Sequence, residues 1–327
     1  MQNIKIVWIG FHEEGIPAFC HVAEQYGIEA FITLDEATLA KRSAGTRQYH
    51  DICEKYKIPS YLVQSIKDEN SFRIISKLQP DLLVVLGWSE ILPARLLGIP
   101  AIGTVGAHAS LLPHNRGSAP INWALIHGEK ATGNTLMWLS EEVDSGEMIA
   151  QREFQITPFD TCKTLYEKVA ATNKEMLAGL ISDLRSGKKP VMGKRNESNE
   201  PLLPRRRPAD GLIDWNWSAR NIYDFIRALT KPYPGAFTFL DGEKWIVWEA
   251  ALLPVHENAM VGEIIGKSYG FASGGTGLLV SAKDGVLLFS QVEDSKGQLY
   301  QGKDLYDAAL RGKFGNEKDI GGCRASG

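Results

Sequence analysis

His108 and Asp144 are the two side chains in this 327-residue sequence best placed to do chemistry together. An imidazole with a carboxylate partner is the minimum equipment for general acid and base work, because the carboxylate fixes the ring tautomer and raises its basicity. His108 follows two apolar runs that read as strands, DLLVVLG at 81–87 and AIGTV at 101–105. The ring is therefore expected just past a strand end, in a loop that Pro113, Gly117 and Pro120 keep from becoming helical. Asp144 stands in VDSGEM, between candidate strands at 135–139 and 148–154. Two such loops can bring the carboxylate to the ring at the carboxyl edge of a parallel sheet, where ligands bind. Spacing alone does not separate this from an ordinary structural His–Asp pair. A metal site of His108, His114 and Asp144 lacks the i, i+4 or C-x-x-C spacing of usual ligands, so no metal is expected.

The stretch 103–151 carries a longer ordered pattern. It contains H-x-S-L-L-P-x-x-R-G at 108–117, W-A at 123–124, G-E at 128–129, T-G-x-T at 132–135 and DSGEMIAQ at 144–151. This set resembles the folate-dependent formyltransferases, a family that includes methionyl-tRNA formyltransferases and amino-sugar N-formyltransferases. The resemblance implies transfer of a formyl group from 10-formyltetrahydrofolate to an amine through a tetrahedral intermediate. It implies that His108 exchanges protons and stabilises the developing charge while Asp144 orients and balances the ring. It further implies folate contacts at Leu86, Gly87, Trp88, Ile91, Leu139 and Val143, and acceptor contacts at Ser110, Asn115, Arg116 and Gly117. Arg116, between Pro113 and Gly117, suits a phosphate or carboxylate clamp. One position departs from the family. Two residues before His108, where an Asn amide polarises the formyl oxygen, stands Gly106. Losing one oxyanion donor costs a factor of about a hundred or more in turnover, so a substitute donor is expected from the Asn115 or Asn122 amide or a backbone N–H.

The elements that must position these residues follow from periodicity. IKIVWIG at 4–10 reads as a strand, and Ile16, Phe19, Val22 and Ala23 recur at helical spacing. The turn between them, GFHEEG, lacks the G-x-G-x-x-G spacing of a dinucleotide site. Further units are a strand at 28–33, a polar loop at 34–45, helices at 48–56 and 66–78, and strands at 61–63 and 82–86. Alternation at these lengths predicts an α/β fold with a Rossmann-like parallel sheet. A helix opened by Asp160 or Thr161 runs to Gly187, and a Lys, Pro and Asn-rich strip follows at 188–200. PRRRP at 204–208 then reads as an exposed linker. Beyond it come a helix carrying Ile222, Phe225, Ile226 and Leu229 behind a Ser218 cap, and short runs such as KWIVWEAAL, GEIIGKS, GLLVSAKDG and VLLFSQVE. These predict a small OB-like β-barrel. The expected division is a formyltransferase domain at 1–203, a linker at 204–210 and the barrel domain at 211–327.

Composition bounds the partners. With 44% hydrophobic and 23% charged residues the chain is ordinarily globular, and a net charge of -3 predicts no general polyanion affinity. Cys20, Cys53, Cys162 and Cys323 form no C-x-x-C pair, which fits a reducing cytoplasm. The apolar run at 4–9 is too short for a signal peptide or membrane span. Residues 204–327 hold 15 Lys and Arg against 15 Asp and Glu, so 15 - 15 = 0, a poor surface for tRNA phosphates. The expected acceptor is therefore a nucleotide-linked amino sugar, with initiator tRNA as runner-up. A 10-formyltetrahydrofolate hydrolase, or a folate-binding protein that Gly106 leaves without turnover, are the alternatives from other classes. No membrane partner is expected, and a homodimer is left open.

Overall fold

The computed structural model describes residues 3–42, 45–189, 193, 200–253, 255, 257–270 and 275–316. Two compact units emerge. The first comprises Met1–Ile121, Lys130–Ile156 and Thr164–Arg205, and the second Asn122–Glu129, Thr157–Lys163 and Arg206–Gly327.

The first unit is built on a seven-stranded sheet of β1 (Ile6–Ile9), β2 (Ala30–Leu34), β3 (Ser60–Val63), β4 (Leu82–Val85), β5 (Gly103–His108), β6 (Ala131–Trp138) and β7 (Met148–Gln155). Its spatial order is β3-β2-β1-β4-β5-β6-β7. Helices α1 (Ile16–Gln25), α2 (Glu36–Leu39), α3 (Gln48–Tyr56), α4 (Glu69–Leu78), α5 (Ala94–Leu97) and α7 (Cys162–Arg185) connect or flank these strands, and α6 (Pro120–Ile126) runs across the division between the units. The central strands β1 and β4 are apolar and buried at every position because both sheet faces are covered there. Along β1, Ile6 and Trp8 enter one core cluster with Phe19 and Phe31, while Val7 and Ile9 enter another with Ile32 and Leu83. This is the two-residue alternation of a strand read on two buried faces.

β1 to β5 pair in parallel, as the alternation of elements implied, but β6 and β7 pair antiparallel. A parallel strand needs a crossover, whereas the connections into β6 and β7 bring the chain straight back. The expected loop at 34–45 contains α2, because Asp35 caps it by accepting from the Thr38 N–H at 2.8 Å. The helix expected from residue 66 begins at Glu69. Pro120, expected to keep the loop after His108 from becoming helical, instead opens α6, since proline at a helix start loses no hydrogen bond. Most of the strip at 188–200, and Cys323, lie outside the described residues. No helix among the described residues is long and apolar enough to cross a membrane.

The second unit carries α8 (Ala219–Leu229), capped by Ser218 as its sequence implied, and α9 (Gly302–Asp307). Its strands are β8 (Ala236–Leu240), β9 (Glu243–Leu253), β10 (Ile264–Ser268), β11 (Gly277–Ala282), β12 (Gly285–Glu293) and β13 (Leu299–Gln301). They run antiparallel in the path β10-β11-β12-β9-β8, with β13 on β12. Isolated bridges from Lys313 to Glu263 and from Gly315 to Phe239 join the two ends of that path, which closes the sheet towards a barrel and covers its edges. Trp215, Phe289 and Phe314 contact one another in its interior. On α8, Asp224 and Arg227 form a buried ion pair at 2.7 Å, and the Arg227 Nη1 donates to the carbonyls of Thr157 and Asp160. The arginine run is not uniformly exposed. Arg206 stacks between Trp123 and Phe225, 4.9 and 5.4 Å from their centroids, and burial lowers its pKa.

Candidate active site

His108 is the last residue of β5 rather than the first of the following loop. Pairing with Thr135 on β6 extends the strand past residue 105 and holds the ring at the sheet edge. Its side chain is buried, with Nδ1 3.4 Å from the Asp144 Oδ1. Nε2 lies 2.8 Å from the Asn115 carbonyl oxygen. A carbonyl can only accept, so Nε2 carries the proton in that contact. The separation at Nδ1 is longer than a formed hydrogen bond, as is common for catalytic pairs without substrate.

Asp144 sits in the left-handed region with φ 51°. Its Oδ2 accepts the Gly117 backbone N–H at 2.8 Å, tying its turn to the loop after His108. Arg116 strengthens the same join, its Nη2 donating to the Val143 carbonyl at 2.8 Å. Asn115 and Ala119 also take left-handed angles, 56° each. Non-glycine residues held in that region cluster where surrounding structure over-determines the backbone, as at active sites.

Thr135 and Gln151, matched in the sequence pattern but given no role there, hold this loop in place. The Thr135 hydroxyl donates to the Ser110 carbonyl at 2.7 Å and accepts from Leu112 N–H at 3.2 Å and Gln151 Nε2 at 2.8 Å. Gln151 Nε2 also donates to the Leu112 carbonyl at 3.0 Å. Their role follows from sheet register, since His108 faces Thr135 and Thr135 faces Gln151 across three strands. Ser110 is fully buried, its hydroxyl donating to the His114 carbonyl at 2.7 Å. His114 itself is exposed and lies 3.3 Å from Glu200.

Gly106 lies two residues before His108 on β5, beside Leu139. A Cβ added there would stand 2.7 Å from Leu139 Cδ2 and 3.1 Å from its Cγ. An apolar side chain thus occupies the space that a longer residue at 106 would need. Of the amides expected to substitute, that of Asn122 donates to the Ala228 carbonyl at 2.6 Å within the second unit. Asn115 presents its backbone carbonyl to His108.

Near β4, Leu86 is buried, Gly87 has φ 65°, and Trp88 packs its ring 5.4 Å from Phe11. The Trp88 indole N–H is buried without a hydrogen-bond partner among the described residues, and Ile91 is half exposed at 52%. Leu139 is anchored by its N–H to the Thr104 carbonyl at 2.8 Å, and Val143 precedes Asp144. These residues offer flat apolar surface and an uncommitted donor, the lining that a heteroaromatic ligand requires. No cluster of three or more metal-ligating side chains occurs among the described residues.

Comparison with known proteins identifies the family. Residues 29–181 match the family described as formyl transferase, and residues 206–309 match the formyl transferase C-terminal domain. A methionyl-tRNA formyltransferase of Clostridium tetani is 31% identical over 301 residues, covering 91% of this chain and 94% of that protein. The bifunctional polymyxin resistance protein ArnA of Wigglesworthia glossinidia brevipalpis is 34% identical over 251 residues. That match covers 76% of this chain but only 38% of ArnA. Two solved structures share the fold. HypX from Aquifex aeolicus in complex with tetrahydrofolic acid has a TM-score of 0.63 at 16% identity, covering 91% of this chain and 46% of HypX. WlaRD, a sugar 3N-formyl transferase, has a TM-score of 0.60 at 15% identity, covering 91% of this chain and all of WlaRD, 100%. With both segments matched in order and a relative aligned over nearly its whole length, the chain belongs to the folate-dependent formyl transferases, enzymes that transfer formyl groups.

Proposed function

We propose that this formyltransferase moves the formyl group of 10-formyltetrahydrofolate to the amine of a nucleotide-linked amino sugar in the cytoplasm, with residues 1–203 as catalytic domain, 204–210 as linker and 211–327 as accessory barrel. The observation that carries the reaction is the buried His108 ring, with Asp144 against one nitrogen and its loop pinned by Thr135, Gln151 and Gly117. As the acceptor amine adds to the formyl carbon, His108 takes up the proton that the nitrogen sheds and passes it to N10 of the folate as the bond between N10 and the formyl carbon breaks, while its Nε2–H exchanges the Asn115 carbonyl for the oxygen that gains charge. Asp144 balances the imidazolium and keeps the ring oriented. Leu86, Gly87, Trp88, Ile91, Leu139 and Val143 hold the pterin against apolar surface. Arg116 and Gly117 line the acceptor side, Asn115 fixes His108 from the other nitrogen, and Ser110 shapes the loop from within. With Leu139 over Gly106, no side chain at 106 donates to the oxyanion, so His108 carries more of that task than in relatives with an Asn there.

The balance of charge in the barrel domain, 15 - 15 = 0, supports a small acceptor over tRNA. Initiator methionyl-tRNA stands as the second reading, favoured by the near full-length match to a methionyl-tRNA formyltransferase. Consumption of 10-formyltetrahydrofolate is measured with no acceptor, with dTDP- and UDP-linked amino sugars, and with methionyl-tRNA, using wild type and His108→Ala. Amino-sugar-dependent turnover lost in the variant is the expected result. Turnover with tRNA alone refutes the acceptor, and turnover without any acceptor makes the protein a hydrolase.

A further inference from the structure

Leaving β1, the turn GFHEEG is too sparse in glycine for a dinucleotide, and the proposed formyl-transfer step leaves it without a task. Its backbone is tightly fixed. Phe11 and His12 N–H both donate to the Gly87 carbonyl at 3.2 Å, and the buried Tyr49 hydroxyl donates to the His12 carbonyl at 2.9 Å. A Cβ on Gly87 would come within 2.7 Å of His12 Cβ, so only glycine allows the turn to sit so close to the end of β4. A single 3-10 turn, Glu13–Gly15, follows, and the His12 ring caps it, Nδ1 accepting the Glu14 N–H at 3.2 Å.

That cap decides what the ring can do. With Nδ1 accepting, the neutral ring carries its proton on Nε2. Nε2 has no hydrogen-bond partner among the described residues. The Glu14 carboxylate is in the same condition. Its side chain is 18% exposed, its contact with the ring is 3.6 Å to a nitrogen already engaged, and it makes no hydrogen bond among the described residues. A largely buried carboxylate without donors is costly, and an incoming O–H or N–H relieves the cost. One free acceptor and one free donor thus lie side by side on a rigid turn at the carboxyl edge of the sheet.

We propose that His12 and Glu14 bind the acceptor, gripping a vicinal pair of pyranose hydroxyls, with Glu14 accepting from one O–H and the His12 Nε2–H donating to the neighbouring oxygen. This rests on the amino-sugar reading above and adds where the sugar ring is held. β1 and β5 are separated by β4 alone, so the turn lies about two strand spacings, roughly 10 Å, from the edge that carries His108. One sugar ring with a hydrogen bond at either end spans roughly that distance. The amine is thereby presented to His108 from the β1 side.

The test measures steady-state kinetics with a dTDP-linked 4-amino sugar and with the analogue lacking the hydroxyl next to the amine. Glu14→Gln keeps the side-chain shape and is expected to raise the acceptor KM roughly tenfold to a hundredfold, as loss of a hydrogen bond to a charged group does. The KM for 10-formyltetrahydrofolate stays as in wild type and the melting temperature does not fall. The deoxy analogue is expected to lose as much with wild type but little further with Glu14→Gln. His12→Asn, which can still cap the turn, is expected to show the same KM split. An unchanged acceptor KM in both variants, or a rise in the folate KM of equal size, overturns the inference while leaving amino-sugar formylation intact. Wild type that formylates no amino sugar overturns the acceptor reading and this inference together.

Discussion

Replacing Gly106 by Asn introduces the side chain that the family resemblance implies two residues before the histidine, and the structure sets the consequence. The new Cβ would lie 2.7 Å from Leu139 Cδ2, closer than such atoms approach. The backbone cannot yield, because Gly106 is held between Val85 on β4 and Met137 on β6. Nor can Leu139 withdraw as a unit, since its N–H is bonded to the Thr104 carbonyl. The Leu139 side chain must rotate away from its packing with the neighbouring core, an overpacking cost of about 1–3 kcal/mol. At roughly 2–4 °C per kcal/mol, differential scanning fluorimetry is expected to show a melting temperature lower by about 2–12 °C. Leu139→Ala also destabilises alone, so the signature is non-additivity. The double variant should be more stable than the sum of the singles by about 0.5–3 kcal/mol. Turnover follows the same logic. Gly106→Asn alone gains little because the amide is displaced, whereas Gly106→Asn with Leu139→Ala frees it to face the oxyanion and is expected to raise kcat by up to about a hundredfold. A single variant that melts with wild type, combined with strictly additive singles, would refute the packing argument.

Five further perturbations have defined outcomes. His108→Ala should lower kcat/KM by roughly 10²–10⁴ in the folate-consumption assay, while Asp144→Asn, whose amide oxygen can still accept from Gly117, should lower it with little loss of stability. Thr135→Val strands the Leu112 N–H and should cost about 1–3 kcal/mol by chemical denaturation, with a fall in turnover as the His108 loop loosens. Arg227→Met leaves the buried Asp224 carboxylate without its closest partner and should cost about 3–5 kcal/mol. Burial pushes the Cys162 thiol from 9.0 up to about 12, so the folded protein holds a proton that the unfolded chain releases between those values. Its contribution to stability is therefore complete below pH 9 and lost as pH rises towards 12, a fall that Cys162→Ala should make shallower in denaturation curves recorded across that range.

The approach of Asp144 to His108 was legible in the sequence because strand ends, proline and glycine punctuation and ordered motifs are local signals. α3 at Gln48–Tyr56 and the Ser218 cap were legible for the same reason. The turn at Asp35 was missed because one side chain closing on its own backbone outweighs a polar composition. Arg206 misled in the opposite sense, since a charged run between prolines gives no sign that one guanidinium stacks on Trp123, more than eighty residues away in sequence.

By itself the sequence determined the α/β class, the barrel-like second unit and the family, and it singled out the pair proposed to do the chemistry, since each is written in residue types at short spacing. Tertiary structure alone decided what those residues face. Parallel and antiparallel neighbours set Thr135 against His108 and Gln151, a long-range register that no local pattern encodes. Folding also laid Leu139 over Gly106 and left the Glu14 carboxylate without a hydrogen bond among the described residues. Burial and proximity belong to the folded chain, because they depend on which distant side chains share the same few ångströms.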